Sequence, residues 1–449
     1  MTLLLALLFL GAPADSLDLA TARAVAEAQD PRVVQPVLTE RATALRLEAI
    51  RLGRLPQLAF SGQASVQSAV PTIPVVLPDG TTPSAPKEQA RIQAEADWAV
   101  LDGGRAERQA DVVRAQAAEQ SAGARVALYS LREATTEAFF GALLLSSQAE
   151  TLGLAVEDLS ARLAVLRARA AQGAALSAHA DALEADLLGL RQQVAEAHAG
   201  RAAALAVLAD LTGLALGPDA VLVTPDLGET AALLRQQGAL VDDDELDDAL
   251  DTAERPEFAR FAATVHRAEA EARLARAATA PVVSLFGQAG VGRPSPFDFL
   301  SDTAREYAIA GVRLRWAPVD WGRSRREAEA ARVTADLART EADAFARQLR
   351  RATIDDVVEI DRLTDALALD ARIVALRQEA LRVAGRQLDE GVLLPDAYTD
   401  RVTDLAAARL AEARHRIERS RAQARALSNL GLFPEGAAPP VTDPDALDR

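Results

Sequence analysis

Two hydrophobic rhythms alternate along this chain, and each predicts a different backbone. In PQLAFSGQASVQSAV, Leu58, Phe60, Gly62, Ala64 and Val66 share one parity, while Gln57, Ser61, Gln63, Ser65 and Gln67 share the other. RIQAEADWAV keeps the rule, setting Ile92, Ala94, Ala96 and Trp98 against Arg91, Gln93, Glu95 and Asp97. A second pair follows, with Val283, Leu285, Ala289 and Val291, then Val312, Leu314 and Trp316 against Arg313 and Arg315. Alternation of period two predicts strands at about 57–70, 91–100, 281–292 and 307–316. Elsewhere apolar residues recur at steps of three and four, and no proline interrupts residues 104–173 or 322–391. That pattern predicts helices over 105–172 and 323–390. A helix of roughly 68 residues rises about 100 Å and cannot bury its stripe against itself. Gly173 and Gly391 are therefore the expected tip turns, followed by return helices over 177–211 and 396–430. Shorter helices, about 32–54 and 256–279, precede the strands that Pro56 and Pro281 open.

The two sets of elements are copies. WAVLDGGR (Trp98 to Arg105) returns as WAPVDWGR (Trp316 to Arg323) at an offset of 218, and the same offset relates Gly173 to Gly391 and Gly213 to Gly431. Upstream, Leu55–Ala64 matches Ala280–Ala289 and Pro31 matches Pro256 at an offset of 225, so the first copy has a loop seven residues longer. The repeats are 17–213 and 252–433, joined by 214–251 with its VDDDELDDALD run and followed by a tail, 434–449.

Composition narrows the class. The chain is 49% hydrophobic but only 4% aromatic, which suits long helices, and its net charge of −16 argues against nucleic acid as a partner. With no cysteine, disulfides, thiolate metal sites and a lipidated amino-terminal cysteine are excluded. The opening MTLLLALLFLGAPADS has an apolar run, Leu3–Leu10, before Ala12-Pro13-Ala14, and residues 1–14 are the expected signal peptide, although no basic residue precedes the run. Beyond it, no apolar run is expected to reach the length of a membrane helix. Strands of about 10 residues do cross a bilayer at a barrel's tilt. In that arrangement Leu58, Phe60, Ile92, Val283 and Leu314 face lipid, while Glu95, Asp97, Arg313 and Arg315 face a wet lumen. Trp98 and Trp316, near the strand ends, are the expected membrane-interface aromatics. A small soluble antiparallel sheet lying on the helices is the other reading of the same parity. Four strands cannot close a barrel, and an open edge cannot exist in lipid; three copies would supply twelve strands.

The duplicated order of short helix, strand hairpin, LDGGR or VDWGR, long helix, glycine turn, return helix and LTG or LGLF resembles the TolC family of outer-membrane efflux proteins. The resemblance extends from about Leu17 to Phe433. It implies a mainly α fold with transmembrane β: a homotrimeric, 12-stranded β-barrel in the cell outer membrane, continuous with an α-helical barrel that extends into the periplasm. It also implies a passive channel-tunnel of a tripartite efflux or type I secretion system, served by a periplasmic adaptor protein and an inner-membrane pump and surrounded by outer-membrane lipid. EGVLLPDAYTDRVTDLAAARL (Glu390–Leu410) is similar to the family's segment at the periplasmic tip. There the resemblance places a gate at Asp400, nine residues after the turn glycine, with Asp396 and Asp404 one helical step to either side. The chain departs from the family where an aromatic and a basic residue often precede the turn, since it carries Leu388 and Gln387. A latch built on those two positions is not expected.

A conduit needs no nucleophile, metal or cofactor, and no constellation for an enzyme is apparent. His179, His198, His266 and His415 have no ligand spacing and are expected at the surface. GVGRP and DGGR are turns, since no Lys-Ser/Thr follows as in a phosphate loop. The alternative is a soluble periplasmic coiled-coil adaptor or structural protein, which would lack the four amphipathic strands.

Overall fold

The computed structural model describes residues 16–432 except 73, 76, 77, 79–81, 83, 226, 228–254 and 298–301. The expected signal segment, the acidic run of the linker and the tail lie outside the described residues. In chain order the elements are β1 (Ser16–Leu17), α1 (Leu19–Gln29), a 3-10 turn (Pro31–Val34), α2 (Gln35–Leu52), β2 (Gln57–Val66), β3 (Glu88–Leu101), α3 (Arg105–Ala171), α4 (Ser177–Thr212) and β4 (Val221–Leu222). The second half continues with α5 (Pro256–Ala277), β5 (Val282–Arg293), β6 (Arg305–Arg315), α6 (Arg323–Asp389) and α7 (Pro395–Asn429). Helices α3 and α6 are each 67 residues long. Their first residues, their last residues and the first residues of the return helices are all separated by the same 218 positions.

The repeated Trp-x-x-x-Asp-x-Gly-Arg segment is the joint between strand and long helix. The carboxylate of Asp102 accepts from the backbone N–H of Gly104 (2.9 Å) and Ala106 (2.8 Å), and that of Asp320 accepts from Gly322 and Ser324 (both 2.9 Å). Each aspartate thus satisfies donors that a helix start leaves without an intrahelical partner. The Ser324 hydroxyl also donates to Asp320, and these bonds hold its carboxyl below the usual range. Both joints turn through left-handed backbone. Gly103 and Gly104 have φ of 65° and 77°, and their counterparts Trp321 and Gly322 have 55° and 79°. Trp321 therefore holds a conformation that costs a side chain about 1–2 kcal/mol.

The chain forms two compact units. The first comprises Pro36–Ala122 and Arg260–Glu341, and the second comprises the described residues of Met1–Gln35, Gly123–Ala259 and Ala342–Arg449. In the first unit the antiparallel sheet has the order β2-β3-β5-β6, so the two hairpins join through β3 and β5. Its helices are tied by ion pairs between α5 and α3 (Arg267 to Glu119, 2.5 Å) and between α6 and α5 (Arg339 to Glu269, 3.0 Å).

The second unit holds three apolar clusters. One gathers Leu17, Leu19 and Ala22 with Phe139, Phe140, Leu205, Leu208, Ile417 and Leu427, beside the parallel pairing of β1 and β4. Another joins the long helices to their return helices near the glycine turns, through Leu152, Leu159, Leu163, Leu183, Leu187, Tyr398 and Val402. Full burial of each such leucine contributes roughly 1.5–3 kcal/mol. The third surrounds Leu349, Ile360 and Leu430. Two expectations change here. One helix, α3, does contain an 18-residue stretch long and apolar enough to cross a membrane by length and composition, yet its Phe139, Phe140 and Leu152 are core residues exposed by no more than 2%. His415 is half-buried rather than superficial, because its Nδ1 meets the buried Asp370 carboxylate at 2.6 Å between α6 and α7.

The two joints differ in what surrounds them, and that difference is measurable. A Cβ on Gly103 would stand 2.3 Å from the Ala280 Cβ, on backbone that already disfavours one. Gly103→Ala is expected to lower stability by more than about 2 kcal/mol. Trp321 is 94% exposed, and Trp321→Gly relieves its backbone while loosening the unfolded chain, leaving a change within about 1 kcal/mol, neutral or stabilising. Unfolding followed by circular dichroism checks both, and an unchanged midpoint for Gly103→Ala would contradict the packing.

Candidate functional site

The sheet presents two unlike faces. Its register sets Leu58 beside Ala96, Phe60 beside Ala94, Ile92 beside Val291, Trp98 beside Leu285, Leu285 beside Val312 and Val283 beside Leu314. Cross-strand partners point to the same side, so Leu58, Phe60, Ile92, Val283 and Leu314 lie together on one face with Trp98. Ala59, Glu95, Gln288 and Ile309 form one row of the opposite face, and Gln57, Asp97, Phe286 and Gly311 form the next; Arg313 and Arg315 are also on that side.

Exposure runs against the pattern of a soluble sheet. On the apolar face Phe60 is 84% exposed, Leu58 74%, Ile92 72% and Leu314 64%. On the polar face Tyr307 and Ser284 are buried. There a hydrogen-bonded chain runs from the Tyr307 hydroxyl to Gln93 Oε1 (2.6 Å), from Gln93 Nε2 to Glu95 Oε1 (2.7 Å) and from Gln288 Nε2 to the same oxygen (2.6 Å). Arg313 pairs with Asp97 at 3.3 Å and lies 4.7 Å over the Phe286 ring. Trp98 donates its Nε1–H to the Arg54 carbonyl (2.9 Å). Trp316 lies one residue past β6, four positions beyond Val312 in the row of Trp98.

In the second unit the glycine turns have one geometry. Gly173 (φ 70°) and Gly391 (φ 75°) let the following N–H, of Ala174 or Val392, reach back to the carbonyl of Arg169 or Gln387, both at 2.8 Å. This is the left-handed helix stop that glycine makes at low cost. Just beyond, α7 leaves Asp396 and Asp400 exposed. Asp404 differs, being half-buried and paired with Arg377 of α6 and with Arg401 (3.2 Å). Its charge is locally compensated, whereas Asp396 and Asp400 are the exposed members of the row. Leu388 packs against the adjacent cluster.

A polar network that the sequence did not reveal lies close by. The Tyr398 hydroxyl of α7 donates to Asp158 of α3 (2.7 Å), the Arg162 guanidinium sits 5.0 Å over the Tyr398 ring, and Arg162 pairs with Asp389 of α6 (3.0 Å). Three helices from both repeats meet there. Burial, then the bond to Asp158, pushes the Tyr398 phenol up to about 12. The signal available in the sequence was rarity, since Tyr398 is one of three tyrosines.

Neither a protein-family model nor a curated protein sequence matches the chain. Solved structures do. It is similar to CusC, whose crystal structures concern transmembrane channel formation, with a TM-score of 0.66 at 15% identity over 95% of this chain and 96% of that one. It is equally similar to a membrane protein from Pseudomonas aeruginosa (0.65, 18%, 96% and 94%) and to the outer membrane protein VceC from Vibrio cholerae (0.65, 14%, 92% and 96%). At these identities the likeness is one of architecture, and the chain has the TolC-type channel fold over nearly its whole length.

The Tyr398 network yields a test with a defined pH window. Tyr398→Phe removes one hydrogen bond and leaves a half-buried carboxylate short of a donor, lowering stability by about 1 kcal/mol. Because the folded phenol ionises above its ordinary value, its contribution is fully present below about pH 10 and fades as pH rises through about 12. Unfolding of wild type and variant across that range should converge at the alkaline end; a constant difference would place the bond elsewhere.

Proposed function

We propose that the chain is the outer-membrane channel of an export system, a passive conduit and not an enzyme. The observation that carries the proposal is the inverted sheet: large apolar side chains lie open on one face, where charge is confined to the hairpin ends at Glu88, Arg293 and Glu306, while most of the charged and amide side chains are gathered on the other. A soluble protein rarely leaves so continuous an apolar surface uncovered. A membrane barrel requires it, with lipid outside and water within. Neither the soluble-sheet reading nor the coiled-coil adaptor reading accounts for that face.

The sheet edges support a homotrimer. Among the described residues β2 and β6 each pair on one side only, and in lipid those open rows of N–H and C=O groups would be untenable. Joining β2 of one copy to β6 of the next closes a ring, and three copies of four strands make twelve. The coiled helices then extend into the periplasm, with the Gly173 and Gly391 turns at the tip that meets an adaptor and an inner-membrane pump, in a tripartite efflux or type I secretion route. Trp98 and Trp316 mark the periplasmic edge of the bilayer.

Two expected outcomes test this reading. Leu58→Arg is costly by about 2–4 kcal/mol if its site lies near the bilayer midplane, and single-cysteine variants at positions 58 and 95 label from lipid and from water respectively. Labelling of position 95 from lipid would reverse the faces. At the tip, threefold symmetry would bring three copies of Asp400 towards one axis, where crowded carboxylates attract cations. Planar-bilayer recordings of Asp400→Ala should show weaker cation selectivity and weaker block by a trivalent cation. If neither changes, Asp400 is not at the gate and Asp396 becomes the candidate.

A further inference from the structure

The helix ends beside the sheet carry charge of the opposite sign to the chain. Residues 46–54, 102–114, 271–281 and 320–332 contain twelve arginines against eight carboxylates, in a protein with 49 basic and 65 acidic residues. Two of those carboxylates, Asp102 and Asp320, are occupied as helix caps. The duplication has kept the pattern: Arg51, Arg105, Arg108 and Arg114 recur as Arg276, Arg323, Arg326 and Arg332 at the offsets of 225 and 218. Of these eight, only Arg114 (with Asp111, 2.8 Å) and Arg323 (with Glu327, 3.7 Å) have an ion-pair partner among the described residues. Structural ion pairing therefore does not account for the repeated basic residues.

In the second repeat the arginines line a groove. Between α5 and α6, within the first unit, a space of about 400 Å³ is floored by Ala272 and Ala335 and walled by four arginines, Arg273, Arg276, Arg332 and Arg339, and two carboxylates, Glu269 and Asp336. Arg339 is held by Glu269 (3.0 Å) and Asp336 (2.7 Å), while Arg273, Arg276 and Arg332 have no carboxylate at ion-pair distance among the described residues. The first repeat has Glu48 and Ser121 where the second has Arg273 and Arg339, so the groove belongs to the second repeat. It lies on the helices next to the sheet: Arg276 precedes the start of β5 by six residues, and Arg332 lies nine residues, about 13 Å of helix rise, into α6.

We propose that this groove binds the phosphate of an anionic phospholipid headgroup in the leaflet around the base of the barrel. The proposal rests on the channel reading, which puts the strand starts at the membrane boundary. Lipid phosphates lie at that level, and an anionic leaflet attracts basic residues over about a Debye length, roughly 8–10 Å, a distance that Arg276 and the flexible side chains beside it span. Guanidinium groups suit the site because their planar forks bind phosphate oxygens in pairs. The small alanine floor leaves the depth that a headgroup needs, and the acidic character of the rest of the chain makes this band the favoured place for an anion. Headgroups bound here would hold the helix ends against the membrane surface.

The test uses the purified full-length protein in neutral detergent, titrated with dioctanoyl phosphatidylglycerol, dioctanoyl phosphatidylcholine or inorganic phosphate and followed by native mass spectrometry. Wild type should bind the glycerol lipid at least about tenfold more tightly than the choline lipid. The variant R273Q/R276Q/R332Q should lose that preference, while R125Q/R169Q/R191Q, with the same loss of charge elsewhere, should keep it. Equal binding of the two lipids, or an unchanged preference in the groove variant, overturns the proposal. Inorganic phosphate binding as tightly as the glycerol lipid overturns it in favour of a soluble anion. Flotation with vesicles is scored separately: insertion without lipid preference removes this site and leaves the channel, whereas failure to insert removes both.

Discussion

The handover from strand to long helix is the constraint on which the rest of this structure depends. At Asp102 and again at Asp320 a side-chain carboxylate takes up the first free N–H groups of a 67-residue helix, immediately after a strand whose side chains must keep their parity. A shift of one residue at that joint would turn every strand side chain to the opposite face and rotate the helix stripe by about 100°. The cap and the left-handed pair behind it leave little freedom for such a shift. The two joints share the same backbone although one has Gly103 where the other has Trp321, which indicates that their geometry tolerates less change than their composition.

Much of this was legible in the sequence because it rests on periods. Alternation at Leu58, Phe60 and Ile92, proline-free helical runs and the recurring glycines are all local signals that repeat at fixed spacing. The grouping of charges on one face of the sheet follows from the same parity once the register is known. What escaped were contacts between residues distant in the chain. Tyr398 and Asp158 are 240 positions apart, and Asp404 meets Arg377 on a neighbouring helix; no spacing rule links either pair. The same reason applies to His415, whose partner Asp370 is 45 residues away. Helical spacing relates three carboxylates of α7, but only the neighbouring helix determines which of them is paired.

The duplication explains why polarity is distributed unevenly between otherwise matched halves. Both copies keep the joint, the glycine stop and the basic helix ends, features that follow from backbone geometry and from position along the repeat. They diverge where a single copy is enough: the tyrosine that meets Asp158 is in the second repeat, and so are the additional arginines of the α5–α6 groove. Assembly from repeated units lets one half vary while the other maintains the architecture.

The first and last described helices meet in one core. Leu17 and Leu19 pack in the same cluster as Ile417 and Leu427, and β1 pairs with β4 about 200 residues downstream. Such contacts close a loop of some 410 residues, the kind of long-range closure that slows folding. A chain emerging from its amino terminus therefore cannot finish this core until α7 has arrived. A product truncated before α7 would leave Leu17, Leu19 and Phe140 along an open, apolar seam.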